Sequence, residues 1–267
     1  MTYFNNLGQG RIGWKSPTSG GGGVDADALA FITAAAITGA TQQSAIITLV
    51  TQLKTYGIWN KMKALYPFVG GTAEQHRWNL KNTAQFKIDW FGGGTHNANG
   101  YLPNGNSYGN TNCTGLNTIQ DSTHLSTYLR TDTNGLFCDM GLADATGYLS
   151  IFSRYNASYY SQIHNTASVY LVISNPNSLG LHVSNRTASN VLNTWKNGTK
   201  LGTGTQPSSA RSSKSIFISA YNDSNLFGSP RQTAFASIGD GLTDAEATAF
   251  YTAVQVYQTT LGGGRAV

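Results

Sequence analysis

Residues 194–202 of this chain read TWKNGTKLG, a polar turn between two stretches that favour β-strands. Asn197 and Gly198 stand at its centre. This pair favours a two-residue type I′ turn because both residue types tolerate the positive φ angles that the turn requires. A turn of this kind joins adjacent antiparallel strands with the twist of a hairpin. The stretch therefore predicts a β-hairpin in the C-terminal third of the chain.

A similar succession of strand-favouring stretches and polar turns extends in both directions, from residue 69 to residue 240. Short runs of β-branched and aromatic residues alternate there with turn-forming clusters, which is typical of strands. Ten candidate strands lie at residues 84–91, 124–130, 136–143, 148–155, 159–164, 168–174, 179–186, 190–197, 214–222 and 231–239. No helical pattern interrupts them. The sequence therefore predicts two antiparallel sheets packed as a sandwich or jelly roll.

A helical pattern closes the chain at residues 244–261. Thr243 is a favourable N-cap, and Glu246 completes a capping box three residues later. One apolar stripe follows at helical spacing, formed by Ala247, Phe250, Val254, Tyr257 and Leu261. Gly262 suits a left-handed C-cap. We expect this stripe to pack on the sandwich or at its rim, because an amphipathic helix must cover its apolar face.

The first quarter of the chain divides differently. Residues 1–24 form a polar arm that ends in a glycine-rich joint, and residues 25–67 form a helical block. That block comprises helices at 25–36 and 41–57, the second capped by Thr41, and a short helical turn that Pro67 ends. The second helix has fewer than two heptads, so packing against the chain's own β-domain is favoured over a coiled coil. Residues 68–262 form the sandwich domain.

Composition restricts the class of protein. Only 11% of the residues are charged, while there are 31 glycines and 14 tyrosines. Low charge with many aromatic residues indicates a folded, β-rich protein rather than a disordered one. The net charge is +5, yet no basic run or recognition motif predicts a nucleic-acid partner. No stretch resembles a signal peptide or a membrane span, so we expect synthesis in a cytoplasm and no membrane insertion.

No spacing of cysteine, histidine or aspartate residues in the sequence requires a metal site. Cys113 and Cys138 fit no ligand pattern, so we expect two buried free thiols, with a disulfide as the alternative. Paired metal-ligand spacing is also missing from the five histidines, His76, His96, His124, His164 and His182. A Ca²⁺ site could be formed from Asp121, Asp139, Asp144 and Asp223, although aspartates in such positions more often cap turns. The expectation is no cofactor, with Ca²⁺ possible.

Catalysis is expected to be absent. Glycoside hydrolysis needs two facing carboxylates, and none alternate along the predicted strands. Residues 162–164 resemble the Q-I-H motif of jelly-roll alginate lyases, in which His164 would take a proton and Tyr221 would return it. Gln162 and Arg130 would neutralise the uronate. The arginine-rich strand and the lysine-bearing tyrosine strand of those lyases are missing, so we assign no catalytic residue.

Sugar binding is the remaining hypothesis about a site. Residues 92–112 read GGGTHNANGYLPNGNSYGNTN and combine aromatic rings with amides and hydroxyls, as saccharide recognition requires. The candidates are His96, Asn97, Tyr101, Asn104 and Tyr108. The same composition also fits a polar loop that contacts a neighbouring subunit.

Four stretches carry a resemblance to a known family: residues 56–82, 99–105, 194–202 and 235–262. Together, and in this order, they resemble concanavalin A/LamG-like domains of phage virion proteins. Those proteins are tail-fibre-like or head-fibre-like, from phages that infect Bacteroidetes, crAss-like phages included. The resemblance spans about residues 38–262. It implies a lectin-like sandwich with an N-terminal helical block and a closing C-terminal helix, and it brings no ligand residues.

The resemblance also implies a function. The chain would be a virion protein, a short fibre or surface decoration that attaches to host-surface glycans or serves assembly. Residues 1–24 would anchor it to other virion proteins, with Tyr3, Phe4, Arg11 and Trp14 as candidate contacts. A homo-oligomer, by analogy a trimer, is expected. The alternatives are a polysaccharide lyase-type tailspike acting on acidic glycans and an internal structural adaptor that binds no ligand.

Overall fold

A computed structural model describes residues 24–267 of the chain. The four anchor candidates Tyr3, Phe4, Arg11 and Trp14 lie outside the described residues. The described helices are α1 Ala26–Ala34, α2 Ala40–Thr55, α3 Ala73–His76 and α4 Asp244–Leu261. Short 3₁₀ turns occupy Trp59–Lys61 and Gly115–Asn117. None of these helices combines the length and the apolar character needed to cross a bilayer.

Strands make up most of the rest of the described chain. They are β1 Met62–Tyr66, β2 Asp89–Phe91, β3 Thr95–Asn97, β4 Gly100–Leu102, β5 Tyr108–Thr114, β6 Thr123–Leu129, β7 Met140–Ala143, β8 Tyr148–Tyr155, β9 Ser158–Asn165, β10 Leu171–Ser174, β11 Gly180–Ala188, β12 Val191–Lys196, β13 Thr199–Gly204, β14 Ser215–Ile218, β15 Tyr221–Asn222 and β16 Thr233–Gly239.

Two eight-stranded sheets result. Sheet A has the order β13-β12-β11-β6-β16-β4-β3, with β1 also paired to β16. Sheet B has the order β10-β9-β8-β7-β14-β5-β2, with β15 also paired to β7. The pairs are antiparallel except for the two-residue contact between β15 and β7. The structure therefore confirms the predicted fold. It is a mainly β, antiparallel sandwich, with helices that precede and follow it in the sequence.

The hairpin at residues 194–202 joins β12 to β13 at the edge of sheet A. Lys196 pairs with Thr199 across the turn. Asn197 has a φ angle of 48° and Gly198 one of 75°, so both central residues are left-handed, as a type I′ turn requires. The local sequence signal is confirmed at this position.

Two apolar layers hold the sandwich together. Side chains of both sheets meet in the inter-sheet core, among them Leu125 and Ile238 of sheet A and Leu149, Ile151 and Ile218 of sheet B. A second core lies between the outer face of sheet A and the helices. Sheet A therefore buries apolar side chains on both of its faces.

Helix α4 covers sheet A as its stripe predicts. Phe250 and Tyr257 lie 6.0 and 6.4 Å from Phe235 between ring centroids. Thr243 and Glu246 form the predicted capping box. Helix α2 packs in the same cluster through Ile46, Leu49 and Leu53 among others. Packing against the chain's own β-domain is thus confirmed for both helices.

Three local predictions differ from the structure. The helical turn predicted before Pro67 is limited to the 3₁₀ turn Trp59–Lys61, and residues 62–66 are strand β1, although Met, Lys, Ala and Leu are good helix formers. The strand forms because it pairs with β16 while Tyr66 enters the inter-sheet core and Leu65 enters the core under the helices. The predicted boundary at residue 67 therefore falls after the first strand of the sandwich.

The other two errors concern the ends of elements. Helix α2 begins at Ala40 with Gly39 as its N-cap and no side-chain cap, so Thr41 lies inside the helix. The predicted strand at 84–91 shrinks to Asp89–Phe91. Phe86 has a φ angle of 56°, a left-handed conformation that interrupts the extended backbone within the predicted strand.

Candidate functional site

The stretch predicted to bind sugar, residues 92–112, is not one long loop. It contains strands β3 and β4 at the edge of sheet A and most of strand β5 in sheet B. The five candidate residues are therefore divided between the two sheets. His96, Asn97 and Tyr101 lie on sheet A, Tyr108 lies on sheet B, and Asn104 lies in the connection between them.

Tyr101 is fully buried and cannot be an exposed platform for a sugar ring. Its ring centroid lies 4.5 Å from that of Trp90 and 4.7 Å from that of His96. Its hydroxyl donates to Ser107 Oγ at 2.8 Å, and burial raises its pKa. The burial of this ring argues against a contact with sugar, and it is favoured because an aromatic side chain gains free energy from packing.

The remaining polar candidates are also engaged within the fold. His96 Nδ1 lies 3.0 Å from Nδ1 of His76, and burial lowers the pKa of His96 to about 4. Asn97 Oδ1 accepts from the Asn99 amide at 2.8 Å. Asn104 donates to the Gly92 carbonyl oxygen at 3.0 Å. These side chains stabilise the turns of the stretch rather than offering a set of free groups.

Tyr108 differs from the other four candidates. Its ring stacks on Phe217, with centroids 4.3 Å apart, and on Phe91, with centroids 5.1 Å apart. Phe91 is 46% exposed, so this stack is accessible from solvent. The Tyr108 hydroxyl makes no hydrogen bond to another described residue, and it is not buried away from solvent. Of the five candidates, Tyr108 is the one that offers both an accessible ring and an unbonded hydroxyl.

The outer face of sheet B differs from that of sheet A because the helices cover only one of them. Residues of α1, α2 and α4 share an apolar cluster with sheet A side chains such as Val183 and Trp195. The separate cluster on the outer face of sheet B contains no residue of a described helix. We call this outer face of sheet B the open face.

The open face carries an apolar depression of about 140 Å³. We call it the tyrosine pocket, and its lining residues are Leu136, Phe152, Tyr155, Tyr160 and Tyr170. Phe152 and Tyr160 project outward from β8 and β9, where they pair in register. The pocket is smaller than the range of about 300 to 1,000 Å³ that enclosed ligand sites occupy. It therefore offers a platform for one ring rather than an enclosing cleft.

The rings of the tyrosine pocket meet mainly edge to face. Tyr160 lies 5.6 Å from Tyr155 and 5.8 Å from Tyr170 between centroids. The hydroxyls of these three tyrosines make no hydrogen bond to another described residue, and none is a buried unbonded atom. Residues 24–267 therefore leave these three hydroxyls unengaged. Burial raises the pKa of Tyr170, so this hydroxyl remains protonated and can donate at neutral pH.

A signal for this pocket was present in the sequence. Residues 148–155 read YLSIFSRY, in which Leu149 and Ile151 face the inter-sheet core while Tyr148 and Phe152 face outward. A strand with large apolar residues on both faces needs a cover on its second face. Alternation along β8 therefore indicates large apolar residues on both faces, and only the tertiary structure shows that the described helices leave one of these faces uncovered.

Larger depressions lie elsewhere and have a different chemistry. One of about 350 Å³ is lined by Met62, Lys63, Lys81, Asn82, Gln85, Phe86 and Asn117. Another of about 340 Å³ is lined by Asp27, Lys54, Gly57, Trp59 and Asn60. Lys54 there already pairs with Asp25 and Asp27. These depressions lack a group of accessible aromatic rings, so their size does not make them the better candidate.

The lyase-like residues do not form one group around an accessible space. Gln162 and Tyr221 come within 3.4 Å of each other, but both are buried. His164 is buried beside Thr118, its Nε2 2.8 Å from the threonine Oγ1, and burial lowers its pKa to about 3. Arg130 instead donates to Gln232 and to the Gly264 carbonyl oxygen. The shared strand face predicted for residues 162 and 164 is lost because His164 adopts a φ angle of 51°.

Three of the four aspartates considered for Ca²⁺ have separate partners. Asp139 pairs with Arg231, Asp144 accepts from Thr146 and Gly147, and Asp223 accepts from its neighbour Ser224. The fourth is Asp121, whose buried Oδ1 has no hydrogen-bond partner among the described residues. Within residues 24–267, no group of three or more His, Cys, Asp or Glu side chains is arranged to hold a metal ion. Cys113 and Cys138 are free and buried, which confirms the expectation for the two thiols.

Comparison with known proteins agrees with this architecture. No protein-family model matches the sequence, and no curated protein is detectably similar to it. Among solved structures, domain 4 of the GH43 extracellular arabinanase AbnA from Geobacillus stearothermophilus, solved with arabinotriose, superposes with a TM-score of 0.50. The match covers 71% of this chain and 98% of that domain at 16% identity, so it shows a shared β-sandwich fold.

A second similar structure is the binding domain of botulinum neurotoxin serotype D, with a TM-score of 0.49 and 10% identity. The match covers 73% of this chain and 52% of the toxin domain, so the chain spans about half the length of that structure.

Proposed function

We propose that this protein is a saccharide-binding module without catalytic activity, and that it serves on a phage virion as a short fibre or surface decoration. The observation that carries the binding function is the tyrosine pocket, an apolar depression on the sheet face that the described helices leave uncovered, whose tyrosine hydroxyls bond to no residue of 24–267. Sugar rings have an apolar face and a rim of hydroxyls. Tyrosine matches both, because its ring is apolar and its tip is polar.

The absence of catalysis is part of the proposal. It is supported by the placement of the groups that acid–base chemistry would need. Asp139 is neutralised by Arg231 in the interior, and His164 is buried and held neutral by a pKa of about 3. A general acid or base must reach its substrate, whereas the tyrosine pocket is lined by no carboxylate, imidazole or amine.

The virion setting is supported by the resemblance of residues 56–82, 99–105, 194–202 and 235–262 to phage fibre-like proteins. In this setting residues 1–24 attach the chain to other virion proteins, the module assembles as a homotrimer, and the open face is directed towards host-surface glycans. Deleting residues 1–23 tests the attachment. We expect normal folding of the remaining chain and loss of incorporation into particles, and unchanged incorporation would contradict the assignment.

Binding is tested by glycan array and by retardation in gels that contain neutral polysaccharides. Tyr160→Ala removes one wall of the tyrosine pocket, and Tyr56→Ala removes an exposed tyrosine on the helical side as a matched control. We expect Tyr160→Ala to weaken binding at least about tenfold, equivalent to about 1.4 kcal/mol, and Tyr56→Ala to leave it unchanged. Equal binding by both variants would exclude the tyrosine pocket.

A further inference from the structure

The open face carries a second aromatic group, separate from the tyrosine pocket. We call it the aromatic ladder, formed by Phe91 of β2, Tyr108 of β5 and Phe217 of β14. Its rings are nearly parallel, with interplanar angles of 19° and 15°. Phe91 pairs with Tyr108 in register, so the ladder runs across the strands rather than along one of them.

Alternation along the strands places both groups on the same face. Ile216 and Ile218 enter the inter-sheet core on either side of Phe217. Ile151 enters the same core next to Phe152, which belongs to the outer cluster. Since successive side chains of a strand point to opposite faces, Phe217 and Phe152 both project from the open face.

The strand order sets the distance between the two groups. Tyr160 on β9 and Phe217 on β14 are separated by three strand spacings, because β8 and β7 lie between them. This separation is about 14 Å, and about 24 Å to Phe91 on β2, at about 4.8 Å per strand. A single sugar ring cannot contact both groups, whereas a chain of several sugar units can.

Aromatic side chains also occupy the space between the two groups. Tyr221 and Phe227 lie 5.6 and 6.4 Å from Phe152 between centroids. The residue opposite Phe217 on β7 is Gly141, and the Tyr221 ring lies over it, 2.9 Å from where a glycine Cβ would stand. Tyr221 is only 3% exposed, so these rings fill the space between the two groups as buried packing, and the accessible aromatic surfaces are the tyrosine pocket and the aromatic ladder.

This arrangement of aromatic groups indicates which class of ligand the proposed saccharide-binding function would serve. We propose that the open face binds the inner part of a neutral polysaccharide chain, which crosses the strands of sheet B and contacts the tyrosine pocket at one end and the aromatic ladder at the other. No charged side chain lines the tyrosine pocket, which favours a neutral chain over a uronate-rich one. Phe91, 46% exposed, and the unbonded hydroxyl of Tyr108 form the distal contact.

Chain length is the property that tests this proposal. The polysaccharide among arabinan, xylan, mannan and laminarin that most retards the protein is hydrolysed to a series from disaccharide to octasaccharide, and each member is titrated by calorimetry. We expect affinity to rise at least about tenfold along the series, because a second contact on the same chain is intramolecular. Phe91→Ala/Tyr108→Ala should abolish that rise while disaccharide affinity stays as in the wild type.

Two controls complete the experiment. Leu116→Ala removes another exposed apolar side chain, 52% exposed and outside both groups, and should leave the length dependence intact. Tyr160→Ala should weaken every member of the series. Affinity that is independent of length, or a length gain that survives in the ladder variant, overturns the extended-chain proposal alone. Failure of all four polysaccharides to retard the protein overturns the proposed function and this inference together.

Discussion

Nη1 of Arg231 lies 2.9 Å from both carboxylate oxygens of Asp139, and both side chains are completely buried. The remaining donors of the guanidinium bond to the carbonyl oxygens of Thr133 and Arg154. The carboxylate also accepts from the Ser153 amide and the Ser229 hydroxyl. The pair thus joins the start of β7 to β8 and to the approach to β16 at one end of the sandwich.

Removing one partner of this pair should be costly. Arg231→Met leaves the Asp139 carboxylate buried and uncompensated, so we expect the free energy of unfolding to fall by about 3 to 5 kcal/mol. Arg231→Met/Asp139→Asn should recover part of that loss, since asparagine keeps an acceptor for Ser153 without the charge. Urea denaturation of both variants measures this difference. A loss below about 1 kcal/mol in the single variant would contradict the assignment.

Arg265 should also stabilise the fold through a buried guanidinium, although its partners are carbonyl oxygens and not a carboxylate. Its buried guanidinium donates to the carbonyl oxygens of Pro67, Phe68, Ala98 and Ala234. Arg265→Lys cannot reproduce this planar set of donors, and we expect a loss of about 2 to 3 kcal/mol in urea denaturation. Arg211→Lys, at an exposed position, serves as the control and should change stability by less than about 0.5 kcal/mol.

Four buried histidines and the half-buried His96 should make stability depend on pH. Burial lowers the pKa to about 4 for His96 and His124, to about 3 for His164 and His182, and well below its usual value for His76. In the unfolded chain these side chains titrate near 6.5. Above that pH both states are neutral and stability is complete. As the pH falls below about 6.5 the unfolded state binds protons that the folded state does not, so stability should decline by several kcal/mol down to about pH 4.

Denaturation at pH 7.5, 6, 5 and 4.5 checks this dependence. The carboxylates with lowered pKa, Asp25, Asp132, Asp144 and Glu246, begin to lose their contribution only below about pH 5, so the decline between pH 6.5 and 5 reports on the histidines. His124→Gln should flatten the decline between pH 6.5 and 5. Equal stability at pH 7.5 and 5 would show that the buried histidines are not neutral.

Gly198 allows the cost of a left-handed turn to be separated from a steric clash. Gly198→Ala places a methyl group 2.7 Å from the Tyr251 ring at a φ angle of 75°. Gly57→Ala has a similar φ of 72° with no atom within 4 Å of the new methyl group. We expect Gly57→Ala to cost about 1 kcal/mol from backbone strain, and Gly198→Ala to cost measurably more. Equal thermal shifts for the two variants would indicate that Tyr251 moves aside freely.

Tyr101 is expected to matter for stability and not for ligand binding. Tyr101→Phe removes the hydroxyl that donates to Ser107 and should cost about 1 to 2 kcal/mol, as one lost buried hydrogen bond does. Retardation by polysaccharide should be unchanged because this ring does not line the tyrosine pocket. Reduced retardation with normal stability would restore Tyr101 as a contact residue.

The sequence by itself determined the class of fold and its local turns. The Asn197–Gly198 pair specified a type I′ hairpin, the capping box and stripe of residues 243–261 specified the closing helix, and runs of β-branched and aromatic residues between turn-forming clusters specified most of the longer strands. Each of these depends on interactions within a few residues, so each can be read locally.

Only the tertiary structure decided which surfaces are covered. Residues 62–66 became a strand because β16 offered a pairing partner, against their own helix propensity. Tyr101 was buried because Trp90 and His96 enclose its ring, whereas Tyr108, seven residues later, remained accessible on the other sheet. The tyrosine pocket exists because α1, α2 and α4 all pack on sheet A. Which face a helix covers depends on contacts between residues far apart in the chain, and a local pattern does not contain that information.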